Sequence, residues 1–170
     1  MSYLICIPFI IQAVASFFDE FYFHHKRGLG RWERIGHPID SISVLICFLF
    51  AYFVPWSPSH FYEYLAIAGF SCILVTKDEF VHIHQCAAGE AWLHAVLFVL
   101  HPIMLASVGV IWYFTHAADA QALSLQIQPD FNPTFFKFVL ESQIGMIFLY
   151  IVYQITYWSF IREPHAKLAR

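Results

Sequence analysis

Apolar and polar positions follow one another in long blocks along the chain, and five of the apolar blocks approach the length of a membrane span. An α-helix needs about 20 mostly apolar residues to cross a bilayer. The pattern therefore predicts an all-α integral membrane protein that forms one transmembrane domain over residues 1–170. The five predicted spans cover about residues 3–24, 38–55, 61–83, 90–115 and 134–161.

The composition supports a membrane protein and argues against several other classes of protein. Of the 170 residues, 59% are hydrophobic and 12% are charged, whereas a soluble domain is about 45–50% apolar. The chain carries no Gly-rich nucleotide loop, no Ser-His-Asp pattern and no basic surface of the kind that binds nucleic acid, so we expect no nucleic-acid partner. Its four cysteines have no paired spacing and are expected to be free thiols.

The basic residues predict the orientation. On a five-span topology all but Lys137 fall on one side, in two loops and the tail: Lys26, Arg27, Arg31, Arg34, Lys77, Arg162, Lys167 and Arg170. Basic residues concentrate on the cytoplasmic side of membrane proteins. We therefore predict an outer N-terminus and a cytoplasmic C-terminus, in what we expect to be a bacterial inner (plasma) membrane. The first apolar block lacks a basic leader and is expected to remain as a span.

The ionisable residues gather at the predicted cytoplasmic ends of the first four spans. They are Asp19, Glu20, His24, His25, His37, Asp40, Asp78, Glu79, His82, His84, Glu90 and His94. Within each span they recur at helical spacing and so share one face. Lipid cannot hydrogen-bond these groups, whereas the interior of a helix bundle can. The pattern predicts that four of the five helices form a bundle around an internal polar site.

Carboxylate and imidazole together favour a transition-metal site. The i, i+3 pair Glu79 and His82 has the spacing found in dinuclear carboxylate proteins, and two i, i+4 pairs also place both groups on one face. The preferred predicted ligands are Glu20, His24, Glu79, His82, Glu90 and His94. The second choices are Asp19, His25, Asp40, Asp78, His84 and His37.

Charge balance gives the same prediction. Up to five carboxylates approach one another, and the neighbouring spans supply only Lys77 at membrane depth. Two divalent cations would offset four of these charges and leave the histidines neutral. Mixed carboxylate and imidazole ligands favour two iron ions, with zinc or manganese as alternatives. The competing explanation is that the basic loop after the first span folds back and compensates the carboxylate charges.

Several of these residues also have structural interpretations. Asp40 and Glu90 lie near predicted helix starts, where a carboxylate can cap free N–H groups. His25 and the two basic residues that follow it are expected to bind lipid phosphate as the alternative to metal ligation. Glu33 is expected to pair with a neighbouring arginine rather than to take part in function. In each case the sequence leaves both roles open.

Two ionisable residues lie deeper in the predicted spans. His101 could line a path, bind a metal or be neutral and hydrogen-bonded, and Glu141 could face His101 or relay protons. On the last span Tyr150, Gln154 and Tyr157 form a stripe toward the cytoplasmic end, where we expect them to hydrogen-bond the metal ligands.

The favoured function is a membrane oxidoreductase with a dinuclear, iron-containing centre. It would act on a lipid-soluble substrate from the surrounding membrane lipid and would take electrons from a cytoplasmic donor. A metal hydrolase on the same residues is a variant. The alternative from another class is a transition-metal carrier or channel, for which five spans are few and a homo-oligomer would be expected.

Overall fold

The protein is described by a computed structural model that covers residues 2–80, 82, 86–117 and 132–162. Within these ranges the chain is almost wholly helical and contains no β-strand, which confirms the all-α prediction. The α-helices of the described ranges include α1 Ile7–Phe18, α2 His25–Arg27, α3 Arg31–Phe53, α4 Pro58–Leu74, α5 Ala88–His116 and α6 Pro133–Thr156. Short 3₁₀ stretches cover Ser2–Cys6 and Val75–Asp78, and π-helical stretches cover Asp19–His24 and Tyr157–Ile161.

Four helical segments of the described chain are long and apolar enough to cross a membrane: Tyr3–Arg27, Arg31–Phe53, Ala88–His116 and Pro133–Ile161. The sequence predicted one more, in the place of α4. That helix has 17 residues and is therefore about 26 Å long, a little less than the ~30 Å hydrocarbon core. The 3₁₀ stretch that follows it adds about 8 Å.

An aromatic core fills the half of the bundle that lies away from the acidic cluster. Phe48, Trp112 and Phe136 are fully buried there. The polar atoms of this core find partners, since Trp112 Nε1 donates to the Val54 carbonyl at 2.7 Å and the Tyr64 hydroxyl donates to a carbonyl of α5 at 2.6 Å. Buried aromatic residues with satisfied polar tips make a stable, dry core. This half of the bundle is closed.

The outward faces of the long helices are apolar. Val14, Phe53 and Leu149 are 65%, 71% and 67% exposed. A monomeric soluble protein rarely exposes a continuous apolar surface of this kind. The exposed residues are consistent with helices that face lipid.

The turn between α2 and α3 sets where the second span begins. Gly28 has a φ of 83°, which a residue with a side chain adopts only at a cost. The backbone N–H of Gly30 donates to Glu33 Oε2 at 2.9 Å, so this carboxylate satisfies a free N–H at the helix start. Because α3 starts at Arg31, before the predicted bound at residue 38, Asp40 lies in the helix interior. The capping role considered for Asp40 was therefore wrong.

Close packing at Gly36 holds α3 against the end of the α4 segment. A Cβ atom at Gly36 would lie 2.9 Å from Asp78 Oδ1 and 3.3 Å from the Lys77 side chain. We expect Gly36→Ala to lower the free energy of unfolding by about 1–3 kcal/mol, because the helices must move apart. Denaturant titration in detergent measures this. Gly69→Ala is the matched control, since nothing lies within 4 Å of its Cβ, and equal stability of the two variants would contradict the packing.

Candidate metal centre

A π-helical stretch in the first span brings three ionisable residues together. In an α-helix, residues five apart are turned by about 140° from one another. Between Asp19 and His24 the backbone instead makes i→i+5 hydrogen bonds, such as the one from the His25 N–H to the Glu20 carbonyl, and residues five apart then lie nearly in line. Asp19, Glu20 and His24 are all buried as a result. Such π-helical turns are frequent at functional sites.

Four histidines from four segments form a closed ring inside the bundle. The ring centroids are 4.8 Å apart for His24 and His37, 6.3 Å for His37 and His82, 4.1 Å for His82 and His94, and 6.2 Å for His94 and His24. One imidazole each comes from the first helical segment, from α3, from the segment that follows α4 and from α5. Positively charged imidazoles at these separations would repel one another. Histidine binds metals in its neutral form, so a bound cation is compatible with this close spacing.

One set of donor atoms joins the first span to α5. Asp19, His24, Glu90 and His94 each offer an atom within 4.8 Å of all the others. His94 Nε2 lies 3.0 Å from Asp19 Oδ1, and His24 Nε2 lies 3.2 Å from Asp19 Oδ2 and 3.9 Å from Glu90 Oε1. Ligand atoms bound tetrahedrally at about 2.1 Å lie about 3.4 Å from one another. The spacing therefore fits a bound cation.

A second set uses different residues on the other side of the ring. Glu33, His37 and His82 each offer a donor atom within 4.8 Å of the other two. His82 Nε2 lies 3.4 Å from Glu33 Oε1. Because no residue is shared with the first set, the two sets can be filled at the same time. The arrangement is therefore suited to two ions.

Among the described residues, His82 Nδ1 and His94 Nδ1 are buried without a hydrogen-bond partner. His24 Nε2 and His82 Nε2 also make no hydrogen bond of good geometry, although carboxylate oxygens of Asp19 and Glu33 lie 3.2 and 3.4 Å from them. His82 is only 5% exposed. A buried polar group without a partner costs about 1–3 kcal/mol. A metal ion that accepts these lone pairs would remove that cost.

Arg27 bridges two of the carboxylates. Its guanidinium donates to Glu33 at 2.6 and 3.0 Å and to Glu90 at 2.9 and 3.1 Å. The basic loop does fold back onto the acidic cluster, as the competing explanation required. Arg27 is one cation for two carboxylates, however, so it compensates only part of their charge.

A second cation, Lys77, binds the carboxylates at the edge of the cluster. Lys77 Nζ lies 2.6 Å from Asp40 Oδ2 and 3.3 Å from Asp78 Oδ2. Asp78 also accepts a hydrogen bond from Trp32 at 3.1 Å and lies 3.6 Å from His37 Nε2. In the described part of the site, Arg27 and Lys77 thus face six carboxylates: Asp19, Glu20, Glu33, Asp40, Asp78 and Glu90. Six negative charges against two positive ones leave four, which two divalent cations would balance.

Glu20 is held by residues of the last span. Trp158 Nε1 donates to Glu20 Oε1, and the Tyr150 hydroxyl donates to Oε2 at 3.3 Å. Gln154 on the same stripe accepts from Ser41 at 3.0 Å. The expected hydrogen bond from this stripe to a predicted ligand is confirmed for Tyr150. The contact of Trp158 was not predicted.

Cys86 adds a sulfur donor at the rim. It forms a further group with His82 and His94, with donor atoms within 4.8 Å. Burial, with a smaller contribution from the charge of Glu90, raises the pKa of the Cys86 thiol to about 12. The thiol is therefore protonated at neutral pH and would bind a metal only by losing that proton. All four cysteines are free.

The predicted ligands differ in where the structure places them. Asp19, Glu20, His24, His37, Asp78, His82, Glu90 and His94 converge, and Asp40 pairs with Lys77 at the edge. Glu79 is exposed and lies outside all the groups just described. His25 points toward the last span, where it hydrogen-bonds Tyr153 at 2.8 Å and stacks on Tyr157. His84 falls outside the described residues.

The two deeper residues lie in different environments. His101 is buried and its Nε2 is 3.0 Å from the Ser71 hydroxyl, which in turn contacts Ser43 at 2.8 Å. This matches the neutral, hydrogen-bonded role considered for His101. Glu141 is exposed and accepts a hydrogen bond from Tyr52 rather than from His101.

Sequence reasoning missed three residues of the site. Glu33 was expected to pair with a neighbouring arginine rather than to take part in function, yet it is fully buried, pairs with Arg27 and belongs to the second donor set. Its signal was the i, i+4 spacing to His37, the same spacing that was used for the chosen pairs. Cys86 has the same spacing to His82, whereas the contact of Arg27 with Glu90 joins residues 63 positions apart and left no local signal.

A cavity of about 300 Å³ adjoins the histidine ring. It is lined at one end by Asp19 and His94 and continues between the helices to Phe9, Met104 and His101. Most of its wall is apolar. A cavity of this size lies at the lower end of the range for small-molecule sites.

Comparison with protein-family models, with curated proteins and with solved structures gives no match for this chain. Its class rests on its own geometry. Over its described residues it is a helical protein with four helices long and apolar enough to cross a membrane, and it contains His and carboxylate groups that could hold metal.

Proposed function

We propose that the chain is an integral membrane metalloenzyme, an oxidoreductase with a dinuclear centre that acts on a lipid-soluble substrate. The observation that carries this proposal is the ring of four histidines, three of them buried with ring nitrogens that make no hydrogen bond, set among carboxylates that two cations balance only in part. In this proposal the α4 segment crosses the membrane as a fifth span, and the site lies at the cytoplasmic side, with the N-terminus outside.

The chain's own residues would hold two ions in separate ligand sets. The first comprises Asp19, His24, Glu90 and His94, and the second comprises Glu33, His37 and His82. Glu20 hydrogen-bonds His24 Nδ1 at 3.2 Å and so orients this imidazole toward the ion. Such outer partners fix the tautomer and strengthen a histidine ligand.

Iron is the proposed metal, because mixed imidazole and carboxylate ligands with room for exogenous groups suit redox-active iron, with manganese or zinc as alternatives. Two iron ions, when bound, would supply electrons to dioxygen. A cytoplasmic donor of two electrons, together with two protons from water, would complete the balance when one oxygen atom is inserted into a C–H bond and the other leaves as water. The surrounding helices would exclude bulk water, and the cavity would hold the substrate beside the ring.

The closed aromatic half of the bundle favours an enzyme over a carrier or channel. A route across the membrane would have to pass Phe48, Trp112 and Phe136, each of which is almost completely buried in that core. The cavity ends at Phe9 and Met104 on the near side of the same core. A transition-metal carrier on the same ligands stays the alternative and is tested below.

Lipid analysis tests the enzymatic function. Membranes that contain the iron-loaded protein, supplied with dioxygen and a chemical reductant, should accumulate lipids that have gained one oxygen atom or lost two hydrogen atoms. Mass spectrometry of the extract measures this, with His82→Ala as the inactive variant and His60→Ala, remote from the ring, as the matched control. Iron flux into chelator-filled proteoliposomes without any lipid product would instead support the carrier.

A further inference from the structure

The cavity beside the histidine ring has the dimensions of a single hydrocarbon chain. On α1 and the π-helical stretch its wall extends from Phe9 to Asp19, and on α5 it extends from His94 to Met104. Ten residues of helix span about 15 Å. The cavity also borders His24, His37 and His82, so its volume of about 300 Å³ over at least that length gives a mean cross-section of at most roughly 20 Å², which is that of one extended alkyl chain. A branched or ring-shaped molecule needs a wider section.

The same volume sets the length of the chain. A methylene group fills about the volume of a water molecule in the liquid, ~30 Å³, so the cavity takes about ten carbons. Its deep end is blind, since Phe9 and Met104 are 2% and 4% exposed. The other end is the histidine ring.

The cavity reaches the lipid-facing surface between α1 and α6. Phe17 and Met146 line it and are themselves 62% and 44% exposed, while Ala13 and Gln143 line it beside them and are half-buried. We call these four residues the lateral opening. Above it Tyr3 packs on Phe135 with ring centroids 5.0 Å apart, so the opening is bounded. A molecule dissolved in the bilayer can enter there without crossing water.

Away from the histidine ring, a polar atom of the cavity wall lacks a hydrogen-bond partner among the described residues. Gln12 Oε1 is buried without a hydrogen bond, and Gln12 lines the cavity one residue from Ala13 in the lateral opening. A pure hydrocarbon would leave this acceptor unpaired at a cost. A hydroxyl group on the chain would satisfy it.

We propose that the cavity is the substrate site and takes one unbranched alkyl chain of about ten carbons that bears a hydroxyl group, with the chain entering from the bilayer between α1 and α6. The word substrate rests on the proposed oxidoreductase function, whereas the binding itself does not. The hydroxyl hydrogen-bonds Gln12, and the hydrocarbon extends to the histidine ring. Gln12 is thus the residue that selects for the alcohol.

Photolabelling tests this site. The probe is n-decanol with a diazirine at the far end of its chain, incorporated with the protein in lipid nanodiscs. We expect label on Leu97, which lines the cavity, in preference to Val99, which is 63% exposed to lipid. Ala13→Phe fills the lateral opening and should lower the Leu97 label severalfold, whereas Val14→Phe on the lipid face should not. Met146→Trp narrows the opening from α6 and gives a second measurement if the first variant does not fold.

Further variants and probes distinguish a failure of the alkyl site from a failure of the proposed enzyme. Gln12→Leu should reduce Leu97 labelling about threefold to tenfold, the effect of one hydrogen bond, to the level of an alkane probe without the hydroxyl. The alkyl site is overturned if the label falls on Val99 alone. It is also overturned if Leu97 is labelled equally in Ala13→Phe and Val14→Phe, even where metal content is normal. Label on Leu97 in a protein that binds no metal keeps the site and overturns the proposed enzyme. Displacement of the label by a ring-shaped phenol but not by n-decanol overturns the chain specificity.

Discussion

Glu33→Gln and His82→Ala should each remove about one of the two metal ions per chain from the purified, metal-loaded protein. Both residues belong to the second donor set, and Glu33 Oε1 and His82 Nε2 lie 3.4 Å apart in the buried interior. Loss of either leaves that set with two ligands, too few to retain an ion through a chelator wash. The first set shares no residue with them and should keep its ion.

The control for this prediction distinguishes the ligands that the structure indicates from a ligand that only the sequence spacing predicted. Glu79→Gln should keep both ions, because Glu79 is exposed and outside the cluster, although its spacing to His82 had made it a preferred ligand. Elemental analysis after size-exclusion chromatography gives the ratio of metal to chain. Loss of metal from Glu79→Gln, with full retention in Glu33→Gln, would show that the second donor set is assigned to the wrong residues.

Arg27→Leu should destabilise the metal-free protein by about 3–5 kcal/mol, because removal of one partner leaves buried charges uncompensated. Both Glu33 and Glu90 lose their hydrogen bonds to the guanidinium, and each is almost completely buried. With metal bound, the loss should be much smaller, since cations would then balance the same carboxylates. Thermal unfolding in detergent, with and without metal, measures both effects.

Lys26→Leu is the matched control for Arg27→Leu. Lys26 is exposed and lies over the Tyr22 ring at 5.7 Å, so its replacement should cost little. Addition of Glu33→Gln to Arg27→Leu should restore part of the stability, because one buried charge is then removed. If metal gives no protection to Arg27→Leu, the carboxylates that Arg27 bridges do not bind ions.

Much of the architecture could be predicted from the sequence because membrane helices carry a strong local signal. The apolar blocks located the long helices, and exposed residues such as Val14 and Leu149 show that the outer faces of these helices are apolar. The bounds were harder to place. α3 begins at Arg31 and continues through Pro38, where the proline had been taken as the start of the helix. A glycine turn and the carboxylate of Glu33 set that start instead.

The site could be predicted in type but not in full detail. Helical spacing on a regular helix identified His24, His94 and Glu90, which the structure brings together. Helical spacing could not predict the π-helical turn that also brings Asp19 inward. A change of helical register leaves no mark in the pattern of residue types. Contacts between distant segments were also beyond reach. The bridge that Arg27 forms to Glu90, 63 residues away, depends on how the helices pack.

The most direct measurement of the central claim is the X-ray absorption spectrum of protein loaded with ferrous iron under anaerobic conditions and passed through a desalting column. The account predicts about two irons per chain, imidazole scattering with bonds near 2.1 Å, and a second metal at roughly 3.5–4 Å. Protein that leaves the column without iron, or iron surrounded only by water oxygens, would contradict it and leave an ion-paired helix bundle.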